Sequence, residues 1–315
     1  MKNIKSAESF APINIALVKY WGKRNIALNL PVTDSLSLSA KHTGTTTKIS
    51  LPEVPLSQHQ VFLNQHLVAE SSEFHERLTE FLKTVTPNSF FKIETQSDIP
   101  VAAGLASSAS GYASIVLALN KLLDWNASPT ELSVLARQGS GSACRSLWPG
   151  LVHWKKGLNE DGQDSHGEPL SLWPELSLGV ILLTSEAKKT SSRDGMTHCQ
   201  ETSPLYSNWP ELVRQDIKGA LEAIAKKDFQ QLGEITEHSS EAMHACMRAS
   251  KPTLDYSLPE TYECITQIKA LRKRGLPIYF TQDAGPNIKV LFLDKDLGRI
   301  QEQLGELMGQ RFLVL

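Results

Sequence analysis

Cysteine is scarce and scattered. Cys144, Cys199, Cys246 and Cys264 lie far apart and form no C-x-x-C pair, which argues against a disulfide framework or a cysteine zinc site and suits reduced thiols in a cytoplasm. Neither sign of charge dominates. Thirty-two Lys and Arg face 34 Asp and Glu, a net charge of -2, with only short basic clusters, so nucleic acid is not an expected partner. The opening "MKNIKSAESFAP" has no apolar h-region, and no signal peptide is read. Residues 99–120 carry no formal charge, yet Pro100, Gly104, Gly111 and the serines at 107, 108, 110 and 114 interrupt them, which excludes a membrane span. There is no internal repeat, no low-complexity tract and no Walker A lysine. Glu237, His238, Glu241 and His244 fall in one helical stretch without H-E-x-x-H spacing, so no metal held by protein side chains is expected.

What is present is the composition of a globular chain: 315 residues, 41% hydrophobic and 21% charged, enough for two ordinary domains. The first half is strand-rich. "SLSLSA", "TTTKISL", "QVFLNQHLVAE" and "FFKIE" alternate or carry β-branched and aromatic residues, and "FLNQHL" reads as a hairpin tip. Two helices follow the Gly/Ser stretch, one through Ile115, Leu119, Leu122 and Leu123, the next opened by Ser128, Pro129 and Glu131 as cap, first residue and capping-box partner. After the strand "LGVILLT", three amphipathic helices are expected in "WPELVRQDIKGALEAIAKK", "DFQQLGEITEHSSEAMHACM" and "PETYECITQIKALRKRG". A strand pair around "QDAGPN", a helix and a terminal strand complete the chain. The expected class is α+β in both halves, with a boundary near residue 185.

Five stretches could carry chemistry. "DIPVAAGLASSASG" runs a Gly/Ser loop into a helix, where free backbone N–H groups and the helix dipole favour an anion; the competing reading is that small residues let the helix pack closely on a sheet. "ALVKYWGKRN" sets Lys19 among apolar residues, costly unless it meets an anion or snorkels from a strand end. "RQGSGSACRS" gathers Ser140, Gly141, Ser142 and Arg145, either a carboxylate or phosphate clamp or a polar connection. "FTQDAGPN" puts Asp283 between two strands, as a turn former or a general base. "EAKKTSSRDGM" reads as a basic, hydroxyl-rich loop containing Lys188, Lys189, Ser191, Ser192 and Arg193, which either closes on phosphates or is a solvated linker.

In this order, "NIALVKYWGKRN", "PVTDSLSLS", "DIPVAAGLASSASG", "RQGSGSACRS", "SSRDGM", "ETSPLY" and "DAGPN" resemble the mevalonate diphosphate decarboxylases of the GHMP kinase superfamily, over almost the whole chain. The resemblance implies a two-domain α+β fold: an ATP-binding domain over 1–185, like ribosomal protein S5 domain 2, and a C-terminal GHMP/decarboxylase domain over 186–315. It implies that Ala103, Gly104, Leu105, Ala106, Ser107 and Ser108, with Ser97 nearby, bind ATP. Asp283, Lys19 and Arg145 match the catalytic positions. Tyr20, Trp21, Gly22, Lys23, Ser140, Gly141, Ser142, Ala143, Cys144, Arg145, Ser192 and Arg193 match positions that hold substrate. Implied further are ATP and Mg2+, the latter held mainly through ATP phosphates, and a homodimer. The implied activity is ATP-dependent decarboxylation of mevalonate 5-diphosphate to isopentenyl diphosphate. A decarboxylase of the monophosphate and a 3-hydroxyl kinase share most of the motifs; a silent ATP-binding sensor on the same fold is the non-enzyme alternative, against which the intact set Lys19, Arg145 and Asp283 argues. "SLWPG" departs from the family's aromatic followed by two glycines, and Pro149 stiffens that turn.

Overall fold

The computed structural model describes residues 5–98, 107–186 and 188–315. Strand β1 (Ser6–Val18) runs antiparallel along one edge of β4 (Ser35–Ser50). The alternating "SLSLSA" and the β-branched "TTTKIS" are thus one long strand. Its other edge takes β7 (Lys92–Ser97) at one end and β8 (Leu151–Trp154) at the other. Beyond β7 lies β5 (Gln60–Leu63), which turns back into β6 (His66–Leu67), and β9 (Gly167–Pro169) extends from β8. The β5–β6 turn is Asn64-Gln65 with φ of 49° and 69°, the doubly left-handed turn whose twist matches a hairpin. A separate small ribbon, β2 (Lys23–Asn25) with β3 (Leu30–Pro31), carries Lys23.

Helices α1 (Glu73–Val85), α2 (Ser107–Leu122) and α3 (Pro129–Gly139) share an apolar core with this sheet, with Leu78, Leu82, Val116 and Leu119 packed with Ile49 and Ile93. Ser110 and Ser114 of α2 hydrogen-bond the hydroxyls of Thr45 and Thr47 at 2.6 and 2.7 Å. Part of the serine content of the opening loop-and-helix stretch is therefore explained by close helix-on-sheet packing. The capping box at Ser128 and Glu131 forms as expected, with Pro129 in the first turn. The Trp148-Pro149-Gly150 turn is tied to β4: the Ser39 hydroxyl donates to Trp148 O and the Ser39 N–H to Gly150 O, both at 2.9 Å.

The second sheet is antiparallel in the order β11 (Tyr279–Gln282), β12 (Ile288–Leu293), β10 (Leu176–Ile181), β13 (Phe312–Val314). Its β10 precedes the residue-185 boundary read from the sequence. One face packs on α7 (Pro259–Lys273) and α8 (Leu297–Met308) through Cys264, Ile268, Ile300 and Leu304. The other belongs to a larger core that includes Ile13, Ile15 and Leu17 of β1 together with α5 (Trp209–Lys226) and α6 (Phe229–Arg248). Burying each such aliphatic side chain contributes about 1.5–3 kcal/mol, so this core ties the first sheet to the second.

Among the described residues the outer edge of β11 has no neighbouring strand. Side chains meet several backbone groups along it instead: Arg272 donates to Ile278 O just before the strand at 3.0 Å, Phe280 N–H donates to Glu237 at 3.0 Å, and Gln282 N–H to the Ser240 hydroxyl at 2.8 Å.

Two helices go beyond the sequence reading. In α1 the N-cap Ser72 accepts from His75 N–H. The stretch expected as a basic loop instead enters α4 (Ser192–Thr202), so Ser192 and Arg193 stand in a first helical turn. Ser191 caps it by accepting from Asp194 N–H at 3.1 Å. Only Gly195, Met196 and Cys199 of α4 are buried, too thin an apolar stripe to announce a helix in the sequence.

Candidate active site

Lys19 follows β1 directly and Asp283 follows β11 directly, so two strand ends from opposite parts of the chain are brought together. Lys19 Nζ lies 2.6 Å from Asp283 Oδ1, and Lys289 Nζ of β12 lies 3.1 Å from Asp283 Oδ2. Lys19 and Lys289 side chains are 2% and 0% exposed, whereas that of Asp283 is 25% exposed and opens to the cleft. Burial pushes the Lys19 ammonium down to about 8; Asp283 opposes this, while Lys289 and Arg145 add to it. Burial by itself would raise the Asp283 carboxyl, but the two ammonium groups outweigh it and hold it well below the usual carboxylate range.

Arg145 ends the 3-10 turn Gly141–Arg145 between α3 and β8. Its guanidinium is buried yet held by neutral groups: Nε donates to Asn14 Oδ1 at 3.1 Å and Nη1 to the Ser35 hydroxyl. The indole of Trp154 lies 5.7 Å beneath it. Asn14 is in turn fixed by donating to Ser142 O and the Ser146 hydroxyl, at 3.1 and 2.7 Å. Among the described residues no carboxylate is within ion-pair distance of Arg145. A desolvated cation with neutral partners is suited to an incoming anion.

Both groups line one cleft of about 670 Å³. Of the residues expected at a site, Lys19, Tyr20, Trp21, Lys23, Ser108, Ser140, Gly141, Ser142, Arg145, Ser192, Arg193 and Asp283 form its walls, joined by Lys188 and Arg77. Tyr20 packs edge-on against Trp154 with centroids 4.7 Å apart, and its buried hydroxyl has no partner among the described residues. At the cationic end, burial lowers Lys23 to about 8, with Arg193 and Arg77 adding to the shift. Lys188 reaches Ser192 Oγ at 2.6 Å and Ala284 O at 3.1 Å; burial, then Lys289, lowers its pKa against the pull of Asp283. Ser108 stands in the first turn of α2, a turn without acidic residues, and its Oγ is 3.4 Å from that of Ser140.

Other expected residues stand apart from these walls. Ala143 belongs to the core beneath α2, and the Cys144 thiol is buried, its pKa raised to about 12 by desolvation. Gly22 serves the backbone: its φ is +110°, and an added Cβ would lie 1.7 Å from the Tyr206 hydroxyl, which donates to Trp21 O. Ser97 ends β7, where its N–H donates to Asn64. Ala103, Gly104, Leu105 and Ala106 lie outside the described residues, and of Ser107 only the helical backbone is described.

Glu237, His238, Glu241 and His244 of α6 have different tasks. Glu237 pairs with Arg272, His238 with Asp216, Glu241 with Lys269, and His244 is buried. Among the described residues no three His, Cys, Asp or Glu side chains converge.

The sequence reading does not include Lys289, Asn14, Ser35, Trp154 or Arg77. Lys289 had a signal, a lysine inside the apolar run "IKVLFL". Asn14 and Ser35 lie inside the quoted stretches "NIALVKYWGKRN" and "PVTDSLSLS", but the residues alone give them no role, because the partner that gives them meaning is more than a hundred residues away in sequence.

Residues 11–167 match the family model of the diphosphomevalonate decarboxylase-like N-terminal domain, and residues 179–311 that of the mevalonate 5-diphosphate decarboxylase C-terminal domain. The chain is 34% identical to diphosphomevalonate decarboxylase of Aspergillus fumigatus over 98% of this chain and 82% of that one. The crystal structure of mevalonate diphosphate decarboxylase from Staphylococcus aureus superposes with a TM-score of 0.93 at 36% identity, covering 98% of this chain and 95% of that one. MDDEF in complex with MVAPP, AMPPCP and magnesium gives 0.89 at 37% identity over 99% of each chain. The two-domain α+β architecture is that of the GHMP kinase superfamily. With both domain models matched in order and a third of residues shared along nearly its full length, the chain belongs to the diphosphomevalonate decarboxylase family.

Proposed function

We propose that the chain catalyses ATP-dependent decarboxylation of mevalonate 5-diphosphate, giving isopentenyl diphosphate, ADP, phosphate and CO2. The observation that carries this reading is the pairing, in one cleft, of a carboxylate at the strand end (Asp283 with Lys19) and a buried arginine (Arg145) that has no acidic partner among the described residues. The substrate's tertiary hydroxyl needs the first and its carboxylate the second.

A tertiary hydroxyl β to a carboxylate leaves poorly. Phosphorylation turns it into a leaving group whose departure draws electrons from the carboxylate, so that CO2 and an alkene form. Asp283 orients the hydroxyl and accepts its proton. Because two ammonium groups make Asp283 a weak base, the proton moves late, as the oxygen becomes acidic on bonding to phosphorus. Lys19 stabilises the negative oxygen. Arg145 holds the carboxylate in line with the breaking bond. Lys23 and Arg193, with Tyr20, Ser192 and the turn Ser140–Ser142, take the diphosphate end.

ATP suits the same cleft: Ser108 at the head of α2 and the cation Lys188 face it, and the Gly/Ser sequence that precedes Ser108 is the stretch expected to bind its phosphates. Mg2+ neutralises phosphate charge when bound. The enzyme acts in the cytoplasm as a homodimer in this reading; among the described residues no helix is long and apolar enough to cross a membrane.

The test is to incubate the protein with Mg-ATP and mevalonate carrying zero, one or two phosphates, following ADP and CO2 separately. Equal ADP and CO2 from the diphosphate supports the assignment. ADP without CO2 makes the protein a kinase, and preference for the monophosphate changes the substrate.

A further inference from the structure

We propose that Lys289 is a positioning residue of the reacting centre, which together with Lys19 clamps both oxygens of Asp283 and sets the charge balance that Lys19 feels. This deepens the function proposed above and rests on it.

The geometry is a three-body clamp. Each Asp283 oxygen has its own ammonium, Lys19 at 2.6 Å on Oδ1 and Lys289 at 3.1 Å on Oδ2. With only one of them, the carboxylate could swing about its last side-chain bond and keep its ion pair; with both, a swing breaks one. The two lysines differ in place. Lys19 stands in the cleft wall, whereas Lys289 is not among the lining residues and is fully buried behind the carboxylate. Lys289 sits opposite Thr281 in the β11–β12 ladder, so its backbone is fixed by the same strand pair that presents Asp283. It reaches the carboxylate from behind and leaves the open side to substrate.

Two ammonium groups on one carboxylate also repel each other. The charged and titratable groups facing Lys19 are Asp283 after β11, Lys289 on β12, Arg145 from the 3-10 turn and His244 on α6. Burial, and then Lys19 itself, holds His244 down to about 4, so it is neutral above mildly acidic pH. Of the remainder, Lys289 and Arg145 lower Lys19 and Asp283 raises it. Removing Lys289 deletes a like charge and leaves Asp283 wholly to Lys19. Both changes move the Lys19 titration upward.

The test is Lys289→Met, with Lys289→Gln as a second variant that keeps a neutral donor should the first not fold. In the decarboxylation assay kcat is expected to fall about 10- to 100-fold with KM for ATP within about threefold, an orientation loss rather than a binding loss. The alkaline limb of the pH profile is expected to rise by about half a unit or more. The same shift is read without turnover by NMR titration of ε-carbon-labelled lysines, with Lys19 assigned through Lys19→Arg. An upward Lys19 shift with lowered kcat supports the proposal. An unmoved Lys19 titration, or unchanged kcat, or a loss confined to thermal stability, overturns it. If the wild type itself releases no CO2, the assigned reaction fails, while the NMR titration still decides whether Lys289 acts on Lys19.

Discussion

Ser239 and Ser240, adjacent in α6, hold the two backbones that present the Lys19–Asp283 pair. The Ser239 hydroxyl accepts the Lys19 N–H at 3.0 Å, and the Ser240 hydroxyl accepts the Gln282 N–H at 2.8 Å while donating to Gln282 O at 3.2 Å. Both serines are buried. One helical step thus fixes the separation of two residues that the sequence puts 264 apart.

Ser240→Ala is expected to destabilise the protein by about 1–3 kcal/mol, since it leaves a buried N–H without an acceptor. Turnover should fall as well, because Asp283 is the next residue along from that N–H. Urea unfolding and kcat measured on the same preparation check this; a variant with unchanged stability would mean that water replaces the hydroxyl.

Asp283→Asn should keep ATP binding nearly intact while turnover drops about 10²- to 10⁴-fold. It also leaves two buried ammonium groups without their shared carboxylate, so the Lys19 titration should fall below its value of about 8. Near-normal release of ADP and CO2 would reduce Asp283 to a turn residue.

Arg145→Lys is expected to lower kcat about 10- to 100-fold with less effect on ATP binding. Lysine keeps the charge but cannot reach Asn14 and Ser35 together, so the substrate carboxylate loses its alignment. Following ADP and CO2 separately shows which half of the reaction suffers, and wild-type rates for both would remove Arg145 from the carboxylate.

Arg193→Ala should weaken use of the diphosphate substrate much more than use of ATP. Charge-assisted hydrogen bonds contribute about 1.5–3 kcal/mol each where water is excluded, so kcat/KM for the diphosphate should fall about 10- to 100-fold relative to the monophosphate. An unchanged ratio of the two values assigns Arg193 to some other task.

Gly22→Ala is expected to cost about 1–3 kcal/mol for the left-handed backbone alone. The methyl group also displaces Tyr206, whose hydroxyl holds Trp21 O. A thermal melt without ligands is the check: a midpoint close to wild type would show that the turn relaxes.

Much of this molecule could be read locally. Lys19 was visible as a charge in an apolar strand, Asp283 as a carboxylate between two strands, and Ser128 to Glu131 as a helix start. Lys289 obeys the rule that singles out Lys19, yet lacks the flanking Tyr-Trp-Gly that marks a strand end, so it passes as part of a strand. Asn14 and Ser35 take their role from Arg145, and no local pattern encodes a contact of that sequence span. The serines of α2 mixed two signals: Ser110 and Ser114 serve packing on Thr45 and Thr47, while Ser108, two residues earlier, faces the cleft.

The side-chain cover along β11 bears on association between chains. A bare strand edge is a template on which another chain can add a strand. Here Arg272, Glu237 and Ser240 occupy several of the groups such an intruder would need, and the three-residue β13 forms the opposite rim of the sheet. The protection exists only once α6 and α7 have docked. All three side chains belong to these two helices, so loosening either would reopen the strand edge next to Asp283 as a template for another chain.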